Sequence, residues 1–471
     1  MKPKASFRES FPFEPTASQE GWFRAMETFL GDSSAQIFIL KGYAGTGKTT
    51  LMGFLVRYLK QFRMRPVLMA PTGRAAKVLS AHTNRKAYTI HKQIYFPKKN
   101  KVGAMQFRLK QNKFKNTLFI VDEASMIGDD RKQVKLFENG SLLNDLWSYV
   151  EEGEDCKLLL VGDPAQLPPV FLEISPALDP KEIAVLSGEE PAGVELVEVV
   201  RQQKASGILV NATQIRERIQ QQYFEKFQFH LEGYPDVIRI QDGNELLELL
   251  DTALNFSLDE AVVIVRSNKR ANLFNTNIRQ RILFLESKLA VGDQLMVVRN
   301  NYFWLDPDST PGFIANGDLI QIQHIHDYKD LYEFQFARVT VQLVDYPDEA
   351  AFETVLLLDT LSSESPALTS EENQSLYYSV LEDYAHLPSK YKQLLEVKSN
   401  PYYNALQVKY SYTITCHKAQ GGQWNQVFIE QPYLPDGPDL SYFRWLYTAL
   451  TRSQKKVYLI GFGKEYFEET P

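Results

Sequence analysis

At 471 residues, 44% hydrophobic and 23% charged, the chain is long enough for two to four compact globular units, and no run of eighteen apolar residues offers a membrane span. Its two cysteines, Cys156 and Cys416, form no CxxC pair and read as packing residues, which argues against zinc and iron–sulfur sites. The net charge of −6 disfavours a nucleic-acid partner on average, and the N-terminal stretch up to Pro15 has no signal-peptide core, so a cytoplasmic location is expected.

In chain order, Trp22, Phe23, Met26 and Phe29 have helical spacing, with Thr16 or Ser18 as cap and Gln19 as an unremarked surface position. A buried strand at 36–40 and a helix at 51–59 then flank Gly42-Tyr43-Ala44-Gly45-Thr46-Gly47-Lys48-Thr49-Thr50. A glycine, four residues and Gly47-Lys48-Thr49 between strand and helix is the P-loop pattern. Its glycines let backbone N–H groups from Gly42 to Thr50 close around phosphates, Lys48 reaches the β/γ-phosphates and the Thr49 hydroxyl holds Mg²⁺. ATP and Mg are therefore the expected cofactors.

A second strand at 66–70 runs into Pro71-Thr72-Gly73-Arg74-Ala75-Ala76-Lys77 and a helix. Small residues there permit close approach, while Thr72, Arg74 and Lys77 supply phosphate donors. Thr89-Ile90-His91 follows, and His91 draws its interest only from this company. The stretch 93–115 reads as a β-hairpin with a turn rich in Lys and Gly. Phe96 and Phe107 on such a ribbon suit stacking on bases, and packing in a small barrel would need the same residues. From Ser33 to Val121 there are 18 Lys and Arg and no acidic residue. A solvated face usually mixes both signs, so this island points to an anionic polymer beside the nucleotide site.

The third strand, 117–121, ends in Asp122-Glu123, where Asp122 would hold Mg²⁺ and Glu123 would orient or deprotonate the attacking water. A fourth, 157–161, ends in Gly162-Asp163-Pro164-Ala165-Gln166. Four strands with polar loops at their carboxyl ends describe a parallel α/β sheet with its site along that edge. A second α/β unit follows Arg201, with a strand at 261–265, a basic helix from 268, and strand ends at 292–300 and 315–318 joined by an Asn-Gly turn. Short alternating strands over 319–360 are the grammar of a small barrel. The α/β pattern resumes with Thr415-Cys416-His417-Lys418, a strand at 426–429, Tyr447-Thr448-Ala449-Leu450-Thr451-Arg452 and a last strand at 456–460.

Taken together and in this order, the motifs resemble those of superfamily 1 helicases, in the 5′-to-3′ branch of RecD and Dda type, over the span from Gln19 to Arg452. The resemblance implies two RecA-like P-loop domains, 1–195 with a hairpin insert at 93–115, and 196–318 with 401–471. An SH3-like barrel and helical insert would occupy 319–400. It further implies that Gln19 reads the adenine edge, Gln166 senses the γ-phosphate, and Arg201 and Arg452 are arginine fingers. Thr72, Lys77, His91, Thr415, His417 and Lys418 match strand-contacting positions, and the hairpin matches a separation pin. The expected activity is a monomeric ATP-dependent DNA helicase acting on single-stranded DNA and duplex junctions, with no membrane partner. An RNA helicase of the same fold, or a nucleic-acid-dependent ATPase that remodels without unwinding, remains open at this point.

Overall fold

The computed structural model describes residues 7–99, 105–128, 139–169, 172–200, 206–225, 227–256, 258, 260–306, 309 and 311–467. Short apolar runs supply the strands of the first half: β1 (Ile37–Gly42), β2 (Arg65–Ala70), β3 (Ala87–Thr89), the hairpin strands β4 (Tyr95–Lys99) and β5 (Met105–Leu109), β6 (Thr117–Val121), β7 (Lys157–Gly162) and β8 (Ala192–Leu196). All but the hairpin form one six-stranded sheet in the order β3-β2-β6-β7-β1-β8, every pair parallel. Because strand side chains alternate, Phe38, Leu40, Ile120 and Leu159 pack on one face with Trp22, Phe23 and Leu55. Ile39, Phe119, Val121 and Leu160 pack on the other with Leu146, Trp147 and Val150. Burial of both faces is what a parallel sheet requires, and it leaves the loops at the strands' carboxyl ends as the exposed edge.

The second half begins with β9 (Val237–Arg239) and β10 (Ala261–Val265), is interrupted by β11 (Gln294–Val297), β12 (Leu319–Leu331), β13 (Phe334–Leu343), β14 (Phe352–Leu357) and β15 (Leu406–Tyr410), and resumes with β16 (Thr413–Thr415), β17 (Trp424–Glu430) and β18 (Ser453–Ile460). The sheet β16-β10-β17-β18-β9 is parallel throughout. Strands β11 to β15 close into a barrel. Its chain extent is wider than the 319–360 stretch suggested. The run at 294–297 pairs with β12 and β15 and belongs to the barrel, not to the α/β sheet that its apolar character suggested.

The barrel is bolted to the second sheet at that junction. Arg279, on the helix Asn268–Arg281, meets Asp293 through two 2.9 Å bonds, and Tyr412 donates to the same carboxylate at 2.9 Å. The two halves also share a core, in which Tyr43, Ala165 and Leu167 of the first pack with Ile208, Phe443 and Leu446 of the second. Both cysteines are buried and unpaired. Among the described residues, no helix is long and apolar enough to cross a membrane.

Candidate ATP site and strand-binding face

Between the two halves lies a cleft of about 470 Å³, lined from the first by the P-loop, Asp122, Glu123, Asp163 and Gln166, and from the second by Arg452. The loop owes its shape to glycine at two positions. Gly47 holds φ +86°, and a Cβ there would stand 2.7 Å from Gln19 Nε2; a Cβ on Gly42 would press on Lys48 and Thr46 at 3.0 Å. The helix Lys48–Tyr58 starts at the loop, so its unpaired N–H groups face the cleft. Lys48 Nζ folds back to donate to the carbonyls of Gly42 (2.5 Å) and Tyr43 (2.9 Å) and lies 3.9 Å from Asp163.

Gln19 is no surface residue. Only 4% exposed, it completes a capping box with Thr16 and donates from Nε2 to the Thr46 carbonyl at 2.9 Å. It thus supports the phosphate loop from the first helix.

At the end of β6, Glu123 adopts φ +53°, an uncommon backbone for a residue with a side chain, and its N–H donates to Asp122 at 2.9 Å. The turn lets both carboxylates line the cleft. Burial, and then the neighbouring charge of Glu123, pushes Asp122 up to about 7; burial likewise raises Asp163 against the pull of Lys48. Hard oxygen donors crowded together beside a hydroxyl at the P-loop suit a small divalent cation. Asp122 and Thr49 are the residues that would hold Mg²⁺, which would supply countercharge to the phosphates.

Arg452 crosses the cleft. It is 4% exposed, its Nε donates to Thr448 O at 3.1 Å and its Nη1 to Gly422 O at 3.4 Å, and Nη1 stands 3.6 Å from Glu123 Oε1. Gln166 is also buried here, and its Oε1 has no partner among the described residues. Arg201 lies outside the described residues. The chain just before it docks on the P-loop, with Val200 N–H donating to Gly45 O at 3.0 Å.

The expected strand contacts converge on a second face. Thr72 caps the helix Gly73–Thr83 through Ala75 N–H at 3.2 Å, and a Cβ on Gly421 would lie 2.8 Å from Ala75 and 3.2 Å from Thr72, which brings the Thr415–Lys418 segment alongside. The barrel forms the third wall: Lys77 pairs with Asp345 at 3.1 Å, Lys418 donates to Asn316 at 2.5 Å and Lys92 to Ser309 O at 2.6 Å. Burial lowers His91 to about 4, so its ring is neutral at pH 7, and His417 is exposed. Arg74 departs from expectation. Its guanidinium sits 4.0 Å over the ring of buried Trp424, so it joins the two halves by a cation–π contact instead of facing a strand. On the hairpin, Tyr95 is anchored by a 2.6 Å bond to Asp145, while Phe96 points outward; the side chain of Phe107 lies outside the described residues.

Sequence reasoning assigned no role to Asp163, Trp424 or Asp345. Asp163 alone carried a signal, as the acid in the loop that contains Gln166.

Fold and site together define a P-loop nucleotide-binding protein in which a second parallel domain presents an arginine to the first domain's paired carboxylates. An AAA domain model matches residues 18–230 and a UvrD-like helicase C-terminal domain model matches residues 410–460. The two matches fall on the stretches that carry the helicase-like motifs, and the chain is similar to superfamily 1 helicases of RecD type. It is 35% identical over 138 residues to the ATP-dependent RecD2 DNA helicase of Deinococcus radiodurans, a match covering 29% of this chain and 16% of that protein. It is 21% identical over 495 residues to the uncharacterized protein R530 of Acanthamoeba polyphaga mimivirus, covering 91% and 96%. A Bacteroides Pif1 helicase solved with ADP-AlF3 and single-stranded DNA aligns at 15% identity and TM-score 0.48, covering 97% of this chain and 95% of that one.

Proposed function

We propose that this chain is an ATP- and Mg²⁺-dependent motor that moves 5′ to 3′ along single-stranded DNA and separates duplex at junctions. The observation that carries the reading is Arg452, a buried cation from the second domain held 3.6 Å from Glu123 of the first. In this reading Lys48 and the P-loop amides bind the phosphates, Glu123 positions and deprotonates the attacking water, and Gln166 senses the γ-phosphate. Arg452 and Arg201 neutralise the charge that develops on the transferred group. A finger of this kind is worth ~10³ to 10⁵ in rate, or roughly 4 to 7 kcal/mol. Because Arg452 rides on the second domain, hydrolysis is fast only with the cleft closed, and each cycle of closure and opening shifts Thr72, Lys77 and His91 past Thr415, His417 and Lys418.

The hairpin then serves as the pin that meets the duplex. The domains proposed are 1–195 and 196–318 with 401–471 around an insert at 319–400, with the barrel also taking in β11 and β15 from the flanking stretches, the whole acting as a monomer in the cytoplasm. The test is unwinding of duplexes carrying a 5′ or a 3′ single-stranded tail, in DNA and in RNA. Opening of 5′-tailed DNA alone is expected. Opening of 3′-tailed DNA overturns the polarity, opening of RNA with no DNA activity overturns the substrate, and ATP turnover without opening overturns strand separation.

A further inference from the structure

Tyr447 lies on the helix Leu440–Leu450 of the second domain and is 1% exposed. Its hydroxyl oxygen accepts the N–H of Ala44 in the P-loop at 2.8 Å and stands 2.7 Å from Asp163 Oδ2. A backbone N–H can only donate, so the hydroxyl proton has one place to go, the Asp163 carboxylate. That carboxylate accepts Ala165 N–H at 3.0 Å on its other oxygen and is the acid nearest Lys48 on the β7 side of the cleft. One phenol therefore ties together the phosphate loop, the β7 loop and the second domain. Burial, and next the charge of Asp163, raises the phenol well above its ordinary value, which keeps the proton on it.

The same helix is pinned to the first domain one residue further on. Thr448 Oγ1 accepts Leu167 N–H at 2.8 Å, and the Leu167 carbonyl accepts Gln420 Nε2 at 2.6 Å. Arg452 follows directly after this helix. A tyrosine that packed only as an apolar ring would not place its hydroxyl between two polar groups of the opposite domain, because a buried hydroxyl is costly unless paired.

We propose that Tyr447 is a positioning residue that sets the register of Arg452 against the nucleotide, so that P-loop occupancy is transmitted to the second domain through the Ala44–Tyr447–Asp163 bridge. This rests on the ATP-driven motor reading above. It adds that the hydroxyl of Tyr447 couples nucleotide to strand, a role separate from shaping the core.

The experiment compares the full-length wild type with Tyr447→Phe, Arg452→Ala and the double variant. It measures ATP turnover on a dT oligonucleotide, and the affinity of that oligonucleotide with and without the β,γ-imido analogue of ATP. In wild type the analogue should change oligonucleotide affinity by roughly fivefold or more. Tyr447→Phe should lower kcat by roughly ten- to a hundredfold with KM for ATP nearly unchanged, and should reduce the analogue effect to below about twofold, while affinity without nucleotide stays at the wild-type value. The double variant should turn over no more slowly than Arg452→Ala, since Tyr447 acts through Arg452.

If Tyr447→Phe fails to fold, Asp163→Asn reads the bridge from the other side. One amide orientation sets an N–H against the Ala165 N–H, and the other puts an N–H where the Tyr447 hydroxyl proton had its acceptor, so the same loss of coupling is expected. Wild-type coupling in whichever of these variants folds, or additive losses in the double variant, overturns the proposal. Absence of strand-stimulated turnover in the wild type overturns the motor reading instead.

Discussion

Replacing Asp345 with Asn should tighten the grip on a single strand. The Lys77–Asp345 pair spans 3.1 Å, with the lysine side chain 52% exposed and the aspartate 7%. Coulomb attraction at that distance is about 1.3 kcal/mol in water and about 5 kcal/mol at an effective dielectric of 20. With the lysine half in solvent, screening and side-chain entropy bring the net value to about 1 kcal/mol. A backbone phosphate that takes Lys77 must displace this carboxylate. Removing the charge while keeping the shape should therefore raise affinity about fivefold at low salt and less at high salt. Fluorescence anisotropy with a labelled dT oligonucleotide across a salt series measures it. Lys77→Ala should lower the steepness of the log–log salt dependence by about 0.7, and adding Asp345→Asn to that variant should gain nothing. Unchanged or weaker binding in Asp345→Asn, or a gain that persists without Lys77, would refute the reasoning.

Lys48→Ala and Glu123→Gln should both abolish turnover, but equilibrium binding of a fluorescent ATP analogue should survive only in Glu123→Gln, because Lys48 holds ground-state phosphates and Glu123 acts on water. Arg452→Lys should lose nearly as much kcat as Arg452→Ala, on the order of 10³-fold, since an ammonium cannot keep the Thr448 and Gly422 carbonyls while reaching the cleft; steady-state kinetics would expose a lysine that suffices. Arg279→Ala should cost about 3 to 5 kcal/mol locally by leaving Asp293 buried with one charge partner fewer, and a thermal melt of the variant that matches wild type would contradict that.

The strands that end in functional loops were legible because each combines a short apolar run with a loop whose residues have defined chemistry, as at Gly42–Thr50, Asp122-Glu123 and Gly162–Gln166. The barrel's flanks were harder to read. The run at Gln294–Val297 is as buried and apolar as a strand of a parallel sheet, and periodicity cannot say which sheet will take it. The edge strand at Ala192–Leu196 alternates exposed and covered positions and offered too little apolar signal. Arg74 misled for a related reason. Its place at a helix start announced a phosphate donor, whereas its partner, Trp424, lies 350 positions away in the sequence. Gln19 drew a role only from the family resemblance and Tyr447 drew none of its own, since only folding brings the first to Thr46 and the second to Ala44.

If hydrolysis waits on a cleft closed by a bound strand, steady-state ATP turnover must respond to a saturating dT oligonucleotide. Stimulation on the order of tenfold or more, abolished in Arg452→Ala, is expected. Equal rates with and without the strand, or stimulation that survives the loss of Arg452, would contradict it.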